Sequence, residues 1–164
     1  MWKAITPINT PNQNGNFFPI MADQNWKLTE YAVVASVALE EGTAMGIQIT
    51  SNTTTGILVA MGAENALGAD FIGILAEPIA ATDVDYATAG KLKSINVPTS
   101  KFAEAVFTVW AGTFTSVDVF KTVSFHTDSK SLAVDTAGKG ARIVWFTSAT
   151  VGVCRFDLPT SETA

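Results

Sequence analysis

From Tyr31 onward no stretch of this chain sustains the roughly 3.6-residue apolar period of a packed helix. Short runs rich in Val, Ile and Thr recur instead, with Gly, Asp or Asn breaking them about every 8 to 12 residues. That spacing predicts strands at Ala32–Leu39, Met45–Thr50, Gly56–Met61, Phe71–Ala76 and Lys91–Val97. It predicts five more at Ala105–Trp110, Val117–Phe125, Leu132–Asp135, Arg142–Phe146 and Val151–Leu158. Helix candidates are short, at Thr82–Ala89 and Ser100–Ala105. The pattern is that of a mainly β domain, without α/β alternation and without a repeat.

Composition narrows what such a domain does. The 164 residues are 48% hydrophobic and 15% charged, with a net charge of −5. Soluble domains usually carry about 25% charged residues. An acidic surface repels phosphate backbones, so nucleic acid is not an expected partner. Sparse charge with abundant Thr and apolar residues fits surface that is covered between subunits. The uncharged run Gly42–Ala63 contains "QITSNTTTG" and is too polar to cross a bilayer, so no membrane partner is expected. The first residues lack the basic and apolar regions of a secretory signal. One cysteine, Cys154, excludes an internal disulfide framework and a cysteine-based zinc site.

Residues 1–28 differ from residues 29–164. They hold three prolines and five asparagines, poor material for a helix or a central strand. They also carry Trp2, Phe17, Phe18, Ile20 and Trp26, which a solvated tail does not need. Two readings stand: a loose terminus, or an extended arm whose aromatics anchor it on a partner.

Chemistry-bearing clusters are few. "FHTDSK", residues 125–130, brings the single histidine, His126, together with Asp128 and Ser129. A catalytic triad needs its members to converge from separate places beside an oxyanion hole. Val123 and Phe125 on one side, with Leu132 and Val134 on the other, mark a hairpin instead, and no G-x-S-x-G elbow exposes a nucleophile. "DTAGKGAR", 135–142, lacks the glycine spacing and following helix of a phosphate loop and reads as a β-turn. Asp83 and Asp85 lack the later ligands of a calcium loop. Glu40 and Glu41 before Gly42 read as solvated turn charges, and Cys154 as a buried strand residue. Trp110 and Trp145 fit either core packing or a stacking platform for a carbohydrate. The expectation is a non-enzyme without cofactor or metal.

The segments "VALEEGTAMGIQI", "TTTGILVAMGAENALGADFIGILAEPI" and "DVDYATAGKLKSINVP" alternate short strands with turns in a particular order. Together with "FKTVSFHTDSKSLAVDTAGKGARIVWFTSATVGVCRF" they resemble the head decoration, or capsid cement, proteins of tailed bacteriophages over most of residues 32–158. The resemblance implies a compact β-tulip or barrel-like domain with an extended N-terminal arm. It implies a homotrimer at threefold positions on the outside of the virion capsid, stabilising contacts between major capsid protein subunits. Trp2, Phe17, Phe18, Ile20 and Trp26 are then the candidate capsid contacts. A tail-tube subunit, a head-fibre base, a minor capsid protein and a carbohydrate-binding β module are the competing readings.

Overall fold

A computed structural model describes residues 17–20, 25–35, 38–50, 53–61, 71–80, 91–108, 115–125, 132–133, 141–148 and 151–156. Among these, eleven strands and one short 3-10 turn are found. The strands are β1 (Phe18–Pro19), β2 (Trp26–Val33), β3 (Ala44–Thr50), β4 (Thr53–Ala60), β5 (Phe71–Leu75) and β6 (Lys91–Pro98). They continue as β7 (Glu104–Thr108), β8 (Thr122–Phe125), β9 (Leu132–Ala133), β10 (Ala141–Ser148) and β11 (Val151–Phe156). The protein is mainly β, as the strand spacing predicts.

Five strands close a barrel in the order β2-β4-β3-β5-β6. Every neighbouring pair is antiparallel except β2 and β4, which run parallel where Val33 meets Leu58. Closure leaves this sheet without edges. Val33, Met45, Leu58, Leu75, Ile79 and Ile95 fill one buried cluster. The other six strands form an open sheet, β1-β7-β11-β10-β8-β9.

The open sheet packs against the barrel through a second cluster. Phe107, Ile143, Cys154 and Phe156 meet Trp26, Ala44, Phe71 and Ile74 there. β3 and β5 are therefore buried on both faces: Ala44, Phe71 and Ile74 join the inter-sheet cluster, while Met45 and Leu75 join the other. A strand covered on both sides has no reason to alternate. This accounts for the unbroken apolar run "FIGIL" at β5.

Gly42 closes the tight turn before β3 with a φ of 88°, a left-handed value that glycine adopts without strain. Thr43 locks the turn by donating its N–H and its hydroxyl to the Glu40 carbonyl. Glu40 and Glu41 are exposed, as read from sequence.

Several sequence expectations are corrected. The first body strand is shifted: β2 starts at Trp26 and ends at Val33, so it runs across the expected boundary at residue 28. Ser100–Ala105 is not helical; a turn at Ser100–Phe102 leads straight into β7. Pairing of β7 with β11 takes Glu104 and Ala105 into a ladder, and the remainder is too short to hold a helix. Thr82–Ala89 lies outside the described residues.

Candidate interaction surface

The N-terminal aromatics are the first place to look for contacts. Phe17 is fully buried, and its ring meets Phe156 edge-on at 6.1 Å. Trp26 meets Phe156 at 5.6 Å and donates its indole N–H to the Glu104 carbonyl. Phe18 and Pro19 pair with Val106 and Ala105 at the edge of β7. Proline is tolerated there because an edge strand need not donate outward. Ile20 is half-buried and donates its N–H to the same Glu104 carbonyl. Phe17 and Trp26, expected as exposed anchors, are thus buried in this chain's own core. The physical reason is that the gap between sheet and barrel is lined by rings and needs apolar filling. Trp2 lies outside the described residues.

The strands expected on either side of the histidine cluster do pair. β8 and β9 pair antiparallel through Ser124–Ala133 and Phe125–Leu132. His126, Asp128, Ser129, Asp83, Asp85, Trp110 and residues 134–140 lie outside the described residues. Cys154 is fully buried in β11, and burial pushes its thiol far above the ordinary range. Such a thiol is inert rather than nucleophilic. Trp145 is half-buried on β10, in register with Val153.

One surface feature stands apart. Residues 115–121 make a tight turn around Asp118, where the sequence reading begins a strand at Val117 that runs to Phe125. Its carboxylate accepts from the Thr115 N–H at 2.8 Å, the Thr115 hydroxyl at 3.0 Å and the Lys121 ammonium at 3.0 Å. Thr115 and Asp118 form a capping box, with the backbone N–H of Asp118 returning to the Thr115 carbonyl. The spacing Thr-x-x-Asp in "TSVD" was the available sequence signal. The turn is further tied to β10 by two main-chain bonds between Phe120, Lys121 and Ile143.

This turn holds two apolar side chains out in water. Val117 is 70% exposed and Phe120 is 67% exposed. Phe120 also sits at a φ of 68°, a left-handed value unusual for a bulky residue. Such a conformation costs about 1–3 kcal/mol and persists only where surrounding bonds enforce it. The Asp118 bonds and the ties to Ile143 supply that enforcement. Exposed apolar residues also mark the barrel wall, at Leu28 on β2 and Leu92 on β6. Register places both on one face of the ladder, opposite Asn96 and Ala32 respectively.

The Asp118 carboxylate is held below its ordinary pKa, first by the Thr115 backbone N–H and then by Lys121. A lowered carboxylate stabilises the folded state above the unfolded pKa of about 3.9. That contribution is lost as pH falls through the lower folded-state value. Asp118→Asn is therefore expected to cost about 1–2 kcal/mol at pH 7. The gap between variant and parent should narrow as pH drops below about 4. Urea titrations at both pH values check this; a gap that is constant with pH would mean the charge is irrelevant.

Among the described residues, no helix is long and apolar enough to cross a membrane. No protein-family model, curated protein or solved structure matches this chain.

Proposed function

We propose that this protein is a structural subunit of a tailed-phage virion. It binds the outside of the capsid, as a homotrimer, and stabilises contacts between major capsid protein subunits. It performs no catalysis and needs no cofactor. The observation that carries this reading is the turn at 115–121, a strained and heavily hydrogen-bonded device whose visible product is two exposed apolar side chains. Anchors that are ordered before binding lose little conformational entropy on docking, which is what a protein that only binds requires. The low charge content and the sequence resemblance to capsid cement proteins support the same reading. Threefold repetition would multiply a modest patch into firm attachment, because the second and third contacts form at high effective concentration.

Image reconstruction of decorated heads tests the proposal, paired with light scattering of the free protein. Three copies at threefold sites is the expected result. A hexameric ring in a tail, or absence from the virion, overturns it. At residue level, Phe120→Gly is expected to leave stability unchanged or raise it by up to about 1 kcal/mol, since relieved strain offsets glycine's entropy in the unfolded chain. Capsid occupancy should fall in the same variant. Full occupancy with Phe120→Gly would remove the turn from the contact.

A further inference from the structure

The chain has only two arginines, and the fold sets them directly opposite each other: Arg142 on β10 faces Arg155 on β11. The pairs on either side, Ala141–Phe156 and Ile143–Cys154, point into the inter-sheet cluster. The arginines therefore project from the other face of the open sheet. Like charges directly opposite on a ladder are unfavourable. One of them is compensated. Glu104, the neighbour of Arg155 on β7, accepts from its Nε at 2.9 Å and its Nη2 at 2.8 Å. Arg142 is exposed, and among the described residues its guanidinium makes a single long hydrogen bond, from Nη1 to the Phe120 carbonyl at 3.4 Å.

Aromatic surface borders the pair. Phe102 is 55% exposed and lies under two cations, with Lys101 Nζ at 5.3 Å and Arg155 Cζ at 5.5 Å from the ring centroid. Phe120 belongs to the strained turn, and Arg142 reaches its carbonyl. In a chain of net charge −5, this is a local cationic face with apolar edges.

We propose that this face of the open sheet binds a carboxylate side chain on an extended segment of a partner protein. Arg142 takes the carboxylate through two parallel N–H donors, and apolar residues flanking it lie against Phe102 and Phe120. Local charge complementarity selects the occupant: the guanidinium fork matches a single carboxylate, while the net charge of −5 opposes a polyanion far more than one carboxylate. The inference concerns any such partner and does not rest on the capsid reading.

Two arginines give two Nε–Hε signals in a nitrogen-15 spectrum of the full chain, so the test is direct. The probe is a capped five-residue peptide alternating leucine with glutamate. Its controls are the glutamine twin, a phosphoserine twin and a short DNA oligonucleotide. The Arg142 signal is expected to move with the glutamate peptide and to stay in place with the glutamine one. Arg142→Gln should weaken that binding about tenfold. Arg142→Lys should recover only part of it, because an ammonium lacks the fork. An unmoved Arg142 signal, an equal response to the glutamine peptide, or tighter binding of the phosphoserine peptide or DNA would overturn the proposal. If a variant fails to fold, the titration of the parent protein decides alone.

Discussion

Replacing Phe17 by alanine is expected to destabilise the protein by about 3–5 kcal/mol, although Phe17 belongs to the segment that composition marks as an arm. The size follows from its surroundings. The side chain is fully buried and its ring packs edge-on against Phe156. Phe156 is the hub of the inter-sheet cluster: it also stacks on Phe71 at 4.3 Å and meets Trp26 edge-on. Removing one spoke leaves a cavity lined by rings, which cannot collapse without moving both sheets. The main chain adds a second tie, since the Phe17 N–H donates to the Gly42 carbonyl at 2.9 Å. Thermal unfolding measures the effect, and a domain of this size should melt about 10 °C lower or more. An unchanged melting temperature would return Phe17 to the role of a free anchor.

Gly73→Ala is the second large effect, expected at about 3 kcal/mol. A Cβ at this position would stand 2.5 Å from the Asn96 carbonyl oxygen and 2.6 Å from the Ile95 Cγ2. The carbonyl cannot swing aside as a flexible side chain would, because it belongs to β6, which pairs with β5 to close the barrel. Relief requires the two strands to separate where Ile74 meets Asn96 and Leu75 meets Ile95. Overpacking of this kind usually costs about 1–3 kcal/mol, and backbone contact puts it at the upper end. Denaturant unfolding checks the prediction. A loss below about 0.5 kcal/mol, the scale of ordinary surface changes, would show that the strands yield freely.

How much of this was legible beforehand depends on the element. β3, β5 and β6 lie within a residue or so of their expected places, because each is an apolar, β-branched run ended by a turn residue. The pairing of β8 with β9 was legible for the same reason: apolar residues mark both strands. The turn at 115–121 was not. "SVDVFK" alternates like a strand, and the preference was overridden by the Asp118 cap and by main-chain bonds to Ile143. The arginine pair was half visible. Each arginine sits between apolar neighbours, "ARI" and "CRF", which marks an outward strand position. That the two positions face each other required the register of β10 and β11.

The sequence by itself determined the class of fold. Residue-level alternation, turn chemistry and the absence of a helical period act over a few residues, so they survive in any tertiary setting. Tertiary structure alone decided three matters: that five strands close into a barrel while six remain open, that Phe17 and Trp26 turn inward, and that Arg142 meets Arg155. Each depends on pairing between residues far apart in the chain. Such pairing is selected by the free energy of burying whole faces against one another, which no local stretch of sequence displays.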